Sequence, residues 1–135
     1  ASDVYKRQAE GFDVLAESRN YTASHQVLTR HGEIDSGAGA KAAKLLEDSG
    51  IITNMNMLPG DSKALTPSGL RLGVQELTRV GMGKNEMAEV ARFFARVLLH
   101  GEDPVNVKKD VSQLKSNFHI IRYCFNEDEQ SGYIL

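Results

Sequence analysis

Thr66-Pro67-Ser68-Gly69-Leu70-Arg71-Leu72-Gly73 is the stretch on which the reading of this chain turns. Pro67 fixes its own φ and pushes Thr66 toward extended geometry, so the backbone enters Ser68 stiff and non-helical. Gly69 and Gly73 then bracket three residues whose alternation turns Leu70 and Leu72 to one face of a short strand and Arg71 to the other. A guanidinium is a rigid fork of donors matched to a carboxylate, which a lysine does not reproduce. Two readings follow: Arg71 grips the carboxylate of a small molecule, or it lies on an exposed strand face beside a surface acid. Spacing alone leaves both open.

The neighbouring residues add to this. Asn54-Met55-Asn56-Met57-Leu58-Pro59 precedes the strand, and Leu77-Thr78-Arg79-Val80-Gly81-Met82 follows it. In order and approximate spacing the three segments resemble the C-terminal domain of serine hydroxymethyltransferase, a fold-type I family dependent on pyridoxal phosphate. There an Asn-x-Asn-x-x-Pro loop leads to a Ser-Gly-Ile-Arg-x-Gly strand and then to a Thr-x-Arg-Gly segment opening a long helix. The resemblance covers roughly residues 11–118. Gly73-Val74-Gln75-Glu76-Leu77-Thr78-Arg79 stands where bacterial members carry a Thr-Pro pair after the glycine, and is similar to the archaeal-type branch. Residues 59–68 run about one residue shorter than in common bacterial members, which loosens the register of the asparagine loop.

What the resemblance implies can be stated residue by residue. Arg71 would anchor the α-carboxylate of serine or glycine, and Asn56 would contact the ring of a reduced pterin, tetrahydrofolate or tetrahydromethanopterin, that carries the one-carbon unit. Ser68 and Asn54 would be neighbours of that site. Without the family, asparagines ahead of Pro59-Gly60-Asp61 would be read as turn formers. The cofactor would be held mainly by a large N-terminal domain that this sequence does not show. None of Lys41, Lys44, Lys63, Lys84, Lys108, Lys109 or Lys115 stands in the family's Schiff-base motif, so the expectation is an inactive fragment with no catalytic residue of its own. The parent enzyme would be a homodimer, because the family builds its sites across one.

Composition bounds these expectations. At 135 residues the chain is one domain's worth. A formal net charge of -2 with both signs interspersed argues against nucleic acid as a partner, which demands a concentrated basic surface. The single Cys124 makes no internal disulfide and fits a reducing compartment; between Tyr123 and Phe125 it reads as a small apolar residue. The best apolar run, residues 93–99, is interrupted by Arg96 and is too short for a membrane span. With no signal peptide in view, the expected compartment is the cytoplasm. No metal site is assigned.

Read in order, residues 1–8 resemble a translated sequencing adapter and are set aside from the fold, with 9–125 as the small domain and 126–135 as a loosely held tail. Ala9-Glu10-Gly11 is expected to close a helix, residues 12–17 and 24–29 to be strands, and His25 to be a partly buried strand histidine rather than a catalytic one. Ser36-Gly37-Ala38-Gly39-Ala40-Lys41 superficially suggests a phosphate cradle, but lacks the Gly-Lys-Ser/Thr ending and a preceding strand. The spacing instead predicts a helix over 39–48 with Ala42, Leu45 and Leu46 inward and Gly50 ending it, then a strand beginning at 51–53 that delivers the loop 54–61. A short helical turn over 75–79, a break at 81–83 and a helix over 84–100 follow, the last burying Met87, Val90, Phe94, Val97 and Leu98. Asp103-Pro104 caps a further helix with Val107, Val111, Leu114 and Phe118 inward and Lys108 and Lys109 in solvent.

The expected class is α/β, of the small α+β kind: a mostly antiparallel sheet of three or four strands with helices packed on one face. Two rival functions stand beside hydroxymethyl transfer. A threonine-type β-hydroxy amino acid aldolase would keep Arg71 and have no use for Asn56 at a pterin. A non-catalytic interaction domain would use Arg71 for a salt bridge alone.

Overall fold

A computed structural model of the chain describes residues 8–122. The adapter-like segment up to residue 7, Cys124 and the tail 126–135 lie outside the described residues. Strands β1 (Asp13–Val14), β2 (Val27–Arg30), β3 (Asn54–Asn56) and β4 (Gly69–Leu72) form one sheet in the order β1-β2-β4-β3, with every neighbouring pair antiparallel. The helices α1 (Ala38–Asp48), α2 (Gln75–Arg79), α3 (Lys84–Leu98) and α4 (Pro104–Ser116) accompany it. Helix α1 lies on β3 and β4 and is itself packed by α3 and α4. The expected α/β class therefore holds, with four strands and the helices on the Leu70–Leu72 face. No helix among the described residues is long and apolar enough to cross a membrane.

The core follows from alternation. Leu70 and Leu72 turn to the helices and join Ala42, Leu46, Phe93, Phe94, Val97 and Val107 in one buried cluster. Phe12 closes its edge, its ring 6.3 Å from that of Phe94 in an edge-on arrangement. Helix ends come out where local chemistry put them. Ser49 caps α1; Gly50, at φ 78°, donates to Glu47 O at 2.8 Å, and Ile51 N donates to Leu46 O at 2.8 Å, the two bonds of a Schellman motif. Asp103 accepts from Val105 N at 2.9 Å ahead of Pro104 at the first helical position of α4. Removing that acceptor with Asp103→Ala should lower unfolding free energy by about 1 kcal/mol, visible as a small drop in thermal midpoint of the full-length protein. Arg96 ties α3 to α4: its Nε and Nη2 each donate to Glu102 at 2.7 Å and Nη1 donates to Asp110 at 2.7 Å. These bonds raise the pKa of Arg96, the Glu102 bond foremost, and lower that of Glu102.

Several boundaries differ from expectation. The strand expected over 12–17 is two residues long and gives way to a 3-10 turn at Glu17–Arg19 behind Ala16, whose φ is 68°. The strand expected from Ser24 begins only at Val27, because Thr22 Oγ1 accepts from Ser24 N at 2.9 Å and Ser24 Oγ accepts from Gln26 N at 3.2 Å. Those side chains take the amides that a ladder would have used. Ile51, Ile52 and Thr53 are not strand; β3 is the asparagine segment itself, so Asn54 and Asn56 lie on a strand rather than in a loop. Leu45 is 41% exposed on the flank of α1, while Ala42 and Leu46 carry its burial. Helix α3 ends at Leu98, and Ala91, Phe93 and Ala95 are buried with Met87, Phe94 and Val97, whereas Val90 and Leu98 are only partly covered. Its stripe is wider than expected because α1 and α4 both pack on it.

Candidate functional site

The sheet has a second face, and register decides what it carries. Asn54 and Leu28 stand directly opposite Arg71, while Asn56 and Arg30 stand opposite Gly69, and Asp13 opposite Arg30. Residues paired across a ladder share a face, so Asp13, Arg30, Arg71, Asn54 and Asn56 all project away from the helices. Arg30 is held by Asp13 at 3.6 Å. Arg71 is exposed and makes no hydrogen bond or ion pair with another described residue. Asn56 Nδ2 donates to Met57 O at 2.6 Å, leaving Oδ1 without a partner among the described residues. A guanidinium and two amides thus stand on one open face with donors and an acceptor to spare, a set suited to a carboxylate and a heterocycle edge.

Arg71 and Asn54 also line a cavity of about 880 Å³ that runs past the end of β4, with His25 and Gln75 beside them and Leu72 and Phe93 among its walls. His25 is exposed on this rim, not the partly buried strand histidine expected, because it precedes β2 in the hydroxyl-bonded turn. Ser68 has no exposed surface and donates through Oγ to Asp61 at 2.8 Å. It lies beneath the Arg71 face rather than on it.

The glycines explain how closely this face is built. A Cβ on Gly69 would lie 2.4 Å from the Leu58 side chain, and a Cβ on Gly39 would lie 2.2 Å from Gly69 O. Gly69 is therefore clasped between buried Leu58 and the first turn of α1; in Ser36-Gly37-Ala38-Gly39, Gly39 serves this close packing and Gly37 supplies the left-handed residue, φ 69°, ahead of α1. Leu58 is held in turn by Asp61, whose Oδ2 accepts from Leu58 N at 2.9 Å and from Ser68 N at 2.9 Å. Its Oδ1 accepts from Asp35 N at 2.8 Å, and the Asp35 carboxylate accepts from Ser62 Oγ at 2.6 Å and from Ser62 N and Lys63 N at 2.8 and 2.9 Å. Sequence reading passed over this pair. Pro59-Gly60-Asp61 looked like an ordinary turn, and nothing local signals that Asp35 is its counterpart.

The donors set the charge state. The Asp35 amide foremost, then those of Leu58 and Ser68, hold the Asp61 carboxyl well below the usual carboxylate range; the Ser62 hydroxyl and Lys63 amide lower that of Asp35. A carboxyl depressed on folding stabilises the fold above its unfolded pKa and loses that contribution as pH falls through the folded value. Unfolding free energy of the full-length protein should thus decline below about pH 4, and its difference from Asp61→Asn should shrink over the same range. Equal differences at neutral and acid pH would contradict the assignment.

The sequence profile described as serine hydroxymethyltransferase matches residues 5–94. The chain belongs to the serine hydroxymethyltransferase family. It is 46% identical over 136 aligned positions to the serine hydroxymethyltransferase of Thermoplasma acidophilum, covering 99% of this chain and 31% of that protein. It is 49% identical to those of Thermococcus kodakarensis and Pyrobaculum neutrophilum, over 87% and 89% of this chain and 28% and 27% of theirs. These relatives are archaeal, as the wording after Gly73 led us to expect. The chain spans about three-tenths of the length of the curated relatives it matches. Among solved structures it is similar to L-threonine transaldolase from Pseudomonas fluorescens, a fold-type I enzyme, at 28% identity and a TM-score of 0.74, over 87% of this chain and 26% of that one.

Proposed function

We propose that the full-length protein is a pyridoxal-phosphate-dependent hydroxymethyltransferase that interconverts serine and glycine and passes the one-carbon unit to or from a reduced pterin. The observation that carries this reading is the Arg71 guanidinium, without a partner among the described residues, on the same open face as Asn54 and Asn56. Family membership supports it.

Arg71 binds the α-carboxylate through two parallel N–H···O bonds and so fixes how the α-carbon is turned. Asn56 offers Oδ1 to a ring N–H of the pterin, and Asn54, directly opposite Arg71, borders the carboxylate. Pyridoxal phosphate, when bound, supplies the electron sink for charge developing at the α-carbon. The residues present fit a supporting role toward it: the face offers a cation unengaged by the other described residues for the substrate's carboxylate, and no lysine here stands in the Schiff-base motif. The cofactor is therefore held chiefly by a larger domain, the segment described is inactive alone, and the enzyme works as a cytoplasmic homodimer.

The test is the visible absorption spectrum of the full-length protein with glycine, before and after a reduced pterin is added. A long-wavelength band that grows with the pterin supports the reading; a cofactor band indifferent to it contradicts pterin use, and no bound cofactor contradicts the activity altogether. Asn56→Ala should raise the pterin KM about tenfold with glycine binding unchanged, the loss of one good polar contact. The likeness to L-threonine transaldolase favours a second reading, an aldol-type enzyme acting on β-hydroxy amino acids, for which Asn56→Ala would be silent.

A further inference from the structure

We infer that Asp61 is a positioning residue for both halves of the proposed site: its carboxylate locks the pterin-side segment carrying Asn56 to the strand carrying Arg71. The inference rests on the reading of the Arg71 face as the amino-acid and pterin site. One carboxylate oxygen, Oδ2, accepts from Leu58 N, two residues beyond Asn56, and from both Ser68 N and Ser68 Oγ, three residues before Arg71. Asn56 and Arg71 are also joined through the short ladder between β3 and β4, which covers three residue pairs and ends at Asn56–Gly69. Immediately past that last pair the chain departs from the sheet, and Asp61 closes the resulting loop back on β4.

Two further observations show that the lock bears on the face itself. Leu58, held by Asp61, lies against Gly69, whose missing side chain leaves it room. Because Gly69 is paired with Asn56, movement of Leu58 displaces the ladder at the pterin residue. Ser68 is fully buried and its carbonyl accepts from His31 N at 3.0 Å, so the entry to β4 is gripped from β2 as well. The other oxygen, Oδ1, accepts from Asp35 N, and Asp35 answers by accepting from Ser62 N and Lys63 N on the far side of the same loop. The loop is thus fastened at both ends by ionised carboxylates, which bind amides more strongly than neutral acceptors do. Asparagine at position 61 retains one acceptor oxygen and turns an NH₂ group toward amides on the other side, so one set of bonds is lost whichever way it faces.

The experiment uses full-length protein loaded with cofactor, measuring KM for glycine-side substrate and for reduced pterin together with thermal midpoint. Asp61→Asn is compared with Asp103→Ala, which weakens a distant helix cap. The expected result is a rise of about tenfold in both KM values for Asp61→Asn, measured well below its midpoint, with Asp103→Ala unchanged in both despite its lowered midpoint. Unchanged KM values in folded Asp61→Asn would overturn the inference. Should that variant not fold, Ser68→Ala, which removes one of the bonds to Oδ2 and keeps the amide, is expected to raise the glycine KM about threefold; no change there overturns it equally. A wild-type protein indifferent to glycine and pterin would instead overturn the proposed function on which the inference stands.

Discussion

Arg71→Lys in the full-length protein should raise the dissociation constant for glycine by about a hundredfold while cofactor stays bound. Hydrogen bonds to a charged group contribute about 1.5–3 kcal/mol each, and lysine replaces a two-pronged contact with a point charge on a mobile stem. The magnitude follows from losing one prong and the alignment of the other. Nothing among the described residues competes for Arg71, so the wild-type guanidinium has no ion pair to surrender before it meets a carboxylate. The surface-acid reading of this arginine requires a partner that the sheet face does not provide among the described residues. Its nearest cross-strand neighbours are Leu28 and Asn54, and the acid on that face, Asp13, is engaged with Arg30. Undiminished affinity for glycine in the variant would remove Arg71 from the site.

The second large effect falls on the scaffold. Gly39→Ala should lower unfolding free energy by about 3 kcal/mol, at the upper end of overpacking costs, because the added methyl meets backbone atoms of Gly69 at 2.2, 2.7 and 2.8 Å. Backbone on both sides leaves no flexible side chain to swing away, so α1 must lift from β4. Gly83→Ala makes the contrast: its Cβ would lie 3.3 Å from the end of the Glu86 side chain, which has room to adjust. Chemical denaturation of the two variants in the full-length protein should separate them by a clear shift in midpoint at constant slope. Equal midpoints would contradict the close approach of α1 to β4.

How much of this was legible in the sequence depends on how local each cause is. The Schellman end at Gly50, the Asp103-Pro104 cap and the break around Gly81 each lie within a few residues of their cause, and all were readable. Arg71 was readable because alternation over three residues suffices to put it opposite two leucines. The asparagine segment was misread as loop because asparagine is a poor strand former; pairing with Leu70 and Arg71, distant in sequence, makes it strand regardless. The late start of β2 hangs on hydroxyl bonds of Thr22 and Ser24 that propensity does not weigh. Asp61 escaped because its meaning lies in Asp35, Leu58 and Ser68 at once, an arrangement that exists only after the sheet has formed. The phosphate reading of Ser36-Gly37-Ala38-Gly39 could be set aside from the sequence, but the reason for Gly39 could not be seen there, because the backbone it lies against belongs to Gly69, far on in the chain.

The central claim is that the Arg71 face receives one α-carboxylate. Its most direct measurement is the binding of glycine and of glycinamide, which lacks the carboxylate, to full-length wild-type and Arg71→Lys protein. The account predicts that the wild type prefers glycine by about a hundredfold and that Arg71→Lys, which keeps a charge but loses the fork, retains only a small part of that preference. Equal binding of glycine and glycinamide by the wild type, or an undiminished preference in Arg71→Lys, would contradict it.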